Sequence, residues 1–268
     1  MPAKLDIVEV SKTFGEANSD GFVQALDRVS FTVQAGEFVS LLGPSGCGKS
    51  TLLYMIAGFE QAAAGEIRID GQAVRGPGAD RGLVFQDYAL FPWKTLLENV
   101  MYGPLKRGLP KSECRDIAMK NIELVGLSGF EKHYPHQLSG GMRQRCALAR
   151  SVANNPELLL MDEPLAAIDA LTRNALQEEI LRVCDARDGR PRKTVVYVTH
   201  SIDEAVFLSD RIVLMSPRPG RVFDVMTVNF PTPRSDGIRS LPEFHELTGR
   251  IWQSLKVYTK PNDGGRHV

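Results

Sequence analysis

The chain has no surplus of either charge, no long hydrophobic run and no closely spaced pair of cysteines. Its 268 residues include 32 basic and 32 acidic side chains, so the formal net charge is zero. A protein that binds nucleic acid over a broad surface normally has a basic excess. The charge balance therefore argues against nucleic acid as a partner.

The hydrophobic stretches are all short. None approaches the roughly 18 consecutive apolar residues that a membrane-spanning helix needs. The first residues also lack a basic end followed by an apolar stretch, so no signal peptide is expected. Any association with a membrane is therefore expected to depend on a partner protein.

The four cysteines are scattered, and none forms a CxxC pair. This spacing argues against a disulfide framework or a zinc site and indicates a reduced, cytosolic chain. The remaining composition, 43% apolar and 24% charged, is ordinary for a globular protein, and the length suits one large domain or two small ones. The cysteines are Cys47, Cys114, Cys146 and Cys184.

Strands alternating with helices predict an α/β core around a largely parallel sheet. The predicted strands are Leu5–Val10, Val29–Val33, Glu37–Leu42, Glu66–Ile69, Gly82–Phe85, Leu158–Met161, Thr194–Val198 and Arg211–Met215. Helices are predicted over Ser50–Ala57, from about Ala170 to Ala186, over Ile202–Leu208 and over Leu241–Val257.

The stretch from Thr95 to Ala153 differs in character, because its apolar residues recur at the three- and four-residue spacing of helices. We interpret residues 87–155 as a helical insertion into the α/β core. Residues 232–268 are expected to form a C-terminal helix and a mobile tail over Pro261–Val268.

A phosphate-binding pattern, GxxxxGK[ST], spans Gly43 to Ser50 between a predicted strand and a predicted helix. Glycines let backbone N–H groups converge on an anion, and the helix N-terminus adds partial positive charge. Lys49 is expected to reach the β- and γ-phosphates, and Ser50 to offer its hydroxyl to magnesium. The alternative is a plain glycine turn before a helix. The candidate nucleotide-binding residues here are Gly43, Pro44, Ser45, Gly46, Cys47, Gly48, Lys49 and Ser50.

Two carboxylates, Asp162 and Glu163, follow the apolar strand Leu158–Met161 at the expected sheet edge. Asp162 is the candidate to hold magnesium, mostly through water, and Glu163 the candidate to orient or activate the attacking water. An exposed turn or a helix cap would explain such a pair equally well if it stood alone. The phosphate loop in the same chain favours ATP hydrolysis.

Two further polar residues end predicted strands. Gln86 is placed to reach magnesium or the attacking water, unless it is a solvent-facing amide. His200 is placed to donate a hydrogen bond to the γ-phosphate, although a lone histidine is more often structural.

A Ser-Gly-Gly turn, Ser139 to Gly141, precedes the predicted helix Met142–Ala153. Ser139 suits an N-cap, and Gly140 and Gly141 leave exposed amides, so the turn is either an ordinary capped helix or a second anion site. If it binds the same γ-phosphate, a head-to-tail pair of chains satisfies both surfaces, since each chain lends its turn to the other's phosphate loop.

Together these motifs resemble the ATP-binding cassette of ABC transporters, over nearly the whole chain from about Leu5 to Met226. The resemblance implies a P-loop NTPase core with an antiparallel β subdomain and an inserted α-helical subdomain, occupying residues 1–231. It implies ATP and Mg²⁺ as cofactors. It also makes Asp162 the Walker B aspartate, Glu163 the catalytic glutamate and His200 the switch histidine.

Other roles follow from the resemblance alone. Gln86 becomes the Q-loop glutamine, and Asp169 belongs to the D-loop. Thr51 is expected to contact phosphate. Phe14 stands where an aromatic ring stacks on adenine, although by itself the residue suggests a core position. Met142 departs from the family by replacing the usual signature glutamine.

The segments Gly76–Gly82 and Leu90–Trp93 are similar to those of importer cassettes for nitrate, sulfonate and taurine. Trp93 either packs in the helical subdomain or belongs to a segment after Gln86 that receives a permease helix. The sequence therefore predicts the ATPase subunit of an importer for a small oxyanion, on the cytoplasmic face of the membrane. Its expected partners are a second copy, a permease and, by family, an extracytoplasmic solute-binding protein.

Two other functions would also use a nucleotide-binding site. A soluble cassette that acts on nucleic acid or ribosomes usually has a second cassette, a long coiled coil or zinc motifs. A regulatory module with weak ATPase activity would not need both Glu163 and His200. A cassette for another small solute stays open, because cargo contacts should lie in other subunits.

Overall fold

The computed structural model describes residues 3–15, 21–166, 168–185 and 191–259. The tail predicted to be mobile, Pro261–Val268, lies outside these residues. Ten strands form two sheets within the described chain, and seven α-helices pack against them.

The larger sheet has six strands in the order β10-β9-β3-β8-β7-β6. Strands β9, β3, β8, β7 and β6 run parallel, and β10 pairs antiparallel with β9. The carboxyl ends of the parallel strands therefore meet at one edge, where ligands of open α/β sheets bind. The strands are β3 (Phe38–Leu42), β6 (Arg81–Val84), β7 (Leu158–Asp162), β8 (Thr194–Thr199), β9 (Arg211–Met215) and β10 (Val222–Thr227).

The smaller sheet is antiparallel and has the order β2-β1-β4-β5. Its hydrophobic residues pack together with those of helix α1 and one face of the larger sheet. The two sheets therefore share one hydrophobic core around the start of α1. The strands are β1 (Leu5–Phe14), β2 (Val23–Val33), β4 (Ala64–Ile69) and β5 (Gln72–Ala73).

Three of the helices, α2, α3 and α4, pack against one another between β6 and β7 in the chain. Helix α2 begins with a capping box in which Thr95 and Glu98 exchange hydrogen bonds, which favours a helix start there. The helices are α1 (Lys49–Ala57), α2 (Leu96–Lys106), α3 (Lys111–Leu124), α4 (Gly140–Ala153), α5 (Ala170–Cys184), α6 (Ile202–Leu208) and α7 (Pro242–Thr259).

The prediction of an α/β core around a largely parallel sheet is confirmed. Strands β5 and β10 were not predicted, because a two-residue strand has no periodicity and Val222–Thr227 does not alternate cleanly. Gln86 does not end a strand, since β6 stops at Val84. The division into residues 1–231 and 232–268 stays a prediction.

The C-terminal helix α7 packs on α6, and its Ile251 is fully buried. The buried Arg234 guanidinium donates to the carbonyls of Phe207 and Ser209 and pairs with Asp210. These contacts attach the start of the C-terminal segment to the end of α6. None of the described helices combines the length and the apolar character needed to cross a membrane.

Candidate nucleotide-binding site

The phosphate loop lies between β3 and α1, as predicted, with its first glycine packed against the end of β9. A Cβ atom on Gly43 would come within 2.7 Å of the Met215 carbonyl oxygen. Gly46 and Gly48 have φ angles of +74° and +99°, values that favour glycine. The glycine pattern of the motif therefore has a steric cause in this chain.

Lys49 is buried, with 4% of its side chain exposed. Its Nζ donates to the Gly43 and Pro44 carbonyl oxygens at 2.8 and 3.0 Å. The ammonium group is thus held inside the curve of its own loop, where an anion bound by the loop amides would meet it. Burial raises the pKa of the neighbouring Cys47 thiol above its ordinary value.

The Ser50 hydroxyl donates to Asp162 Oδ1 at 2.7 Å, so α1 and the end of β7 meet as the motifs predict. Asp162 is almost completely buried. A hydroxyl and a carboxylate side by side are the hard oxygen ligands that Mg²⁺ prefers. The residues present therefore fit a magnesium ion at this place.

Tyr54 also contacts Asp162 and was missed by the sequence analysis. Burial raises the pKa of its hydroxyl to about 12, and the hydrogen bond to Asp162 adds to the effect. Ser50 and Tyr54 lie four residues apart on α1 and so share one face of the helix. The four-residue spacing from Ser50 was a possible signal for Tyr54. The spacing is informative only once it is known that α1 packs against β7.

Glu163 and His200 are in direct contact, because β7 and β8 are neighbours and end at the same edge. His200 Nδ1 lies 2.9 Å from Glu163 Oε2. Glu163 has a φ angle of +40°, which is strained for a residue with a side chain. An observed outlier of this kind is typical of functional sites.

Gln86 is exposed beyond the end of β6, and the segment after it folds onto α4. The Arg150 side chain donates to the carbonyl oxygens of Tyr88 and Ala89 at 3.0 and 2.6 Å. Trp93 is 70% exposed, so the interpretation that it packs inside the helical group is wrong. Its ring contacts Phe91, which precedes α2, at 5.8 Å between ring centroids.

A cleft beside the phosphate loop is lined by residues of the smaller sheet and of the phosphate loop. Phe14 lines it and is 41% exposed, so a core position for this ring is excluded. Arg218, which the sequence analysis did not select, lines the same cleft and donates to the Gly46 carbonyl oxygen. The lining residues are Phe14, Val23, Ala25, Ser45, Gly46, Gly48, Lys49, Ser50, Thr51, Glu163 and Arg218.

The Ser-Gly-Gly turn starts α4 with Ser139 as its N-cap, since the Ser139 hydroxyl accepts from the Met142 backbone at 3.2 Å. The predicted cap is therefore confirmed, and the helix begins two residues earlier than predicted. Among the described residues that line the cleft, none comes from this turn. The turn and the phosphate loop therefore do not line a common cleft within the described chain.

Asp169 caps the next helix, α5, by accepting from the Thr172 backbone at 3.0 Å. Arg173 in the first turn of α5 donates to the Ile168 carbonyl and lies 3.8 Å from the buried Glu204. Glu204 also accepts from Thr199 at 2.8 Å. The segment around Asp169 is therefore connected to the segment around His200 through Arg173 and Glu204.

A comparison with protein families matches residues 26–166 to the family described as ABC transporter. Named relatives match along almost the whole chain. An uncharacterized ABC transporter ATP-binding protein of Methanocaldococcus jannaschii is 49% identical over 96% of this chain and 92% of its own length.

Two relatives have more specific names. An aliphatic sulfonates import ATP-binding protein of Bacillus cereus is 43% identical, over 94% of this chain and 96% of its own length. A taurine import ATP-binding protein of Rhizobium johnstonii is 45% identical, over 91% of this chain and 94% of its own length.

Solved structures agree with the sequence relatives. A dimeric ATP-binding cassette in a post-hydrolysis state with ADP and Pi has a TM-score of 0.72 and 34% identity, over 85% of this chain and 100% of its own. The predicted fold class, a P-loop ABC ATPase, is therefore confirmed. The chain belongs to the ABC transporter family, as an ATPase of the ATP-binding cassette type.

Proposed function

We propose that this chain is the ATP-hydrolysing subunit of an ABC importer, working as a head-to-tail dimer that drives a separate membrane permease. The observation that carries the proposal is the meeting of three strand ends. They bring the buried Lys49, the Ser50–Asp162 pair and the Glu163–His200 pair to one edge of the sheet.

The proposed roles follow from this chemistry. The amides of Gly43–Thr51 and the Lys49 ammonium bind the phosphates, and the Phe14 ring supports adenine. Ser50, Asp162 and Gln86 hold magnesium, which when bound offsets the negative charge of the phosphates. Glu163 orients the attacking water. His200 contacts both Glu163 and the γ-phosphate and so positions one relative to the other.

The dimer is supported by the described cleft beside the phosphate loop, whose lining does not include the Ser-Gly-Gly turn. Ser139 is exposed at the N-terminus of the 14-residue helix α4, where backbone amides favour an anion. Placed against a partner's phosphate loop, Ser139, Gly140, Gly141 and Asp169 complete the γ-phosphate site. The dimeric form of similar cassettes supports this arrangement.

The permease partner is supported by the exposed Trp93 ring in the segment after Gln86. The names of the relatives support import of a sulfonate, taurine or a similar small oxyanion. The chain then works at the cytoplasmic face of the membrane, bound peripherally to its permease, and an extracytoplasmic solute-binding protein delivers the cargo.

Purification of the intact membrane complex tests the proposal. The tagged chain is isolated with its permease from membranes of its own organism, reconstituted in liposomes and assayed for phosphate release with taurine, an alkanesulfonate or nitrate. Stimulation by one of these, lost in Glu163→Gln, is expected. Stimulation by an uncharged solute alone would contradict the oxyanion cargo, and failure to recover any membrane protein would contradict the transport role.

A further inference from the structure

Arg218 belongs to a loop, Ser216–Arg221, that follows β9 and has no role in the proposed function. Its guanidinium donates from Nε and Nη2 to the Gly46 carbonyl oxygen at 3.2 and 3.1 Å. Gly46 is the exposed tip of the phosphate loop. A side chain 172 residues away along the chain thus reaches the centre of the nucleotide site.

The loop that carries Arg218 is attached on both sides. Gly220 donates to the Ala25 carbonyl at 2.9 Å and accepts from the Asp27 backbone at 3.0 Å. A Cβ atom on Gly220 would lie 2.0 Å from the Cys47 carbonyl oxygen. The loop is therefore wedged between β2 and the phosphate loop, with little room to move.

Bonds inside the loop hold its shape. The Ser216 hydroxyl donates to the Pro217 and Pro219 carbonyls and accepts from the Arg221 backbone at 3.0 Å. Arg221 in turn pairs with Asp27 at 2.8 Å. Arg218 is thus an exposed cation on a rigid support, which reduces the entropic cost of binding through it.

The charge of Arg218 is not neutralised by any carboxylate in the described parts of the chain. Its contacts there are the two bonds to Gly46, which leave Nη1 for another acceptor. Arginine presents five N–H donors in a planar fork that suits phosphate oxygens. A cation beside the phosphate loop is complementary to the negative charge of a polyphosphate, whereas adenine is uncharged.

We infer that Arg218 contacts the phosphate groups of the bound nucleotide and is a second cation of this site beside Lys49. The inference rests on the proposed placement of the triphosphate in the Gly43–Ser50 loop. Because the loop Ser216–Arg221 and the phosphate loop belong to the same chain, Arg218 contacts the nucleotide without a second copy of the chain.

Nucleotide affinities of variants test the inference. The full chain is studied in EDTA, so that magnesium-dependent hydrolysis is absent, and ATP, ADP and adenosine compete against a fluorescent ADP analogue. For Arg218→Gln we expect the ATP dissociation constant to rise about tenfold, as for loss of one charge-assisted bond at a partly solvated site. Adenosine should bind within about twofold of wild type. Arg218→Lys should lose less ATP affinity than Arg218→Gln, because lysine keeps the charge although it lacks the planar fork.

Two controls separate the possible outcomes. Arg68→Gln removes an equal charge from an exposed ion pair with Glu66 on β4 and should leave ATP binding unchanged. Lys49→Ala should weaken ATP binding strongly. If Lys49→Ala also binds ATP normally, the placement of the nucleotide itself is wrong. If Lys49→Ala fails to bind while Arg218→Gln binds normally, only the role of Arg218 is wrong.

A purely structural role of Arg218 would give a different pattern. Loss of the bonds to Gly46 would deform the phosphate loop, and Arg218→Lys would then bind ATP as poorly as Arg218→Gln. An equal loss of affinity for adenosine and ATP would likewise overturn the inference, because adenosine has no phosphate to contact.

Discussion

At the scale of single residues, the site concentrates strain and buried polar groups at the end of β7. Glu163 adopts a left-handed backbone conformation, which costs an ordinary residue about 1–2 kcal/mol. Its amide still donates to the Val198 carbonyl at 3.0 Å, so the neighbouring strand maintains the conformation. In this conformation the Glu163 side chain contacts His200.

Glu163→Gln should retain MgATP binding and lose at least about 100-fold in turnover, as expected when a residue that activates water is removed. The amide has almost the same shape and keeps a hydrogen bond to His200, so the fold should survive. Steady-state phosphate release measures turnover and calorimetry measures binding. Glu66→Gln, a partly exposed carboxylate on β4 that pairs with Arg68, is the matched control. Unchanged turnover in Glu163→Gln would reject the role.

Tyr54→Phe should raise the Mg²⁺ concentration needed for half-maximal ATP binding by about tenfold, as for loss of an outer-shell partner of a metal ligand. The Tyr54 hydroxyl is protonated at neutral pH, where it donates to Asp162. Phenylalanine retains the ring packing against Phe85.

The control for Tyr54→Phe is Tyr102→Phe, on α2. ATP affinity in EDTA should be the same in wild type and both variants, because Tyr54 acts through Asp162. A change in EDTA as large as that with Mg²⁺ would show that Tyr54 supports the loop and not the metal ligand.

At the scale of elements, two helix starts determine the surfaces around the site. Helix α4 presents Ser139 at its first turn and holds the Tyr88–Ala89 carbonyls through Arg150 near its other end. One rigid helix therefore connects the Ser-Gly-Gly turn to the segment after Gln86. Helix α2, which packs against α4, depends on the capping box of Thr95 and Glu98.

Glu98→Ala should lower the free energy of unfolding by about 1 kcal/mol at pH 7, because it removes one half of the capping box. The hydrogen bonds from Thr95 lower the pKa of Glu98 below its ordinary value of 4.5. The folded state therefore binds this proton less tightly than the unfolded state does, and the contribution is present above pH 4.5 and lost as the pH falls through the folded pKa.

Urea denaturation at pH 7 and at about pH 3.5 measures this difference between wild type and Glu98→Ala. Glu113→Ala, in the first turn of α3 but outside a capping box, is the control. A difference between wild type and Glu98→Ala that does not shrink at low pH would show that the carboxylate acts in some other way.

At the scale of the whole molecule, the proposed mechanism of ATP hydrolysis requires two copies of the chain. Among the described residues, the turn at Ser139 does not line the cleft formed by Lys49 and Glu163. A symmetric pair uses both surfaces twice and closes, which prevents open-ended assembly.

Ser139→Arg should abolish the MgATP-dependent dimer of the Glu163→Gln protein and block hydrolysis in an otherwise wild-type chain. The reason is steric and electrostatic, since a long side chain would fill the space of the partner's γ-phosphate. ATP binding in EDTA should persist because the cleft is untouched. Sedimentation velocity with MgATP checks the dimer.

The matched control is Ser128→Arg, an equally exposed serine outside the proposed interface. It should dimerise and hydrolyse ATP as wild type does. A normal MgATP dimer in Ser139→Arg would contradict the head-to-tail arrangement.

Most of the fold was predictable because its signals are local. Helix Ile202–Leu208 and strand Arg211–Met215 were predicted with the bounds observed. Strand β10 was not predicted because only Met226 in it is buried, so it has no alternating apolar pattern, and its place in the sheet depends on pairing with β9. The exposure of Trp93 and Phe14 could not be predicted from the local sequence either. An aromatic residue is compatible with both a buried core position and an exposed position at a ligand site.

The sequence by itself determined the chemistry of the site. The spacing of Gly43–Ser50 and the order of Asp162 and Glu163 specify which groups are available, because motifs of this kind are short and continuous in the chain. Only the tertiary structure decided which distant groups join them. Parallel strand order places His200 beside Glu163, α1 carries Tyr54 to Asp162, and the loop after β9 carries Arg218 to Gly46. Such contacts depend on how strands and helices are ordered in space, which no local pattern encodes.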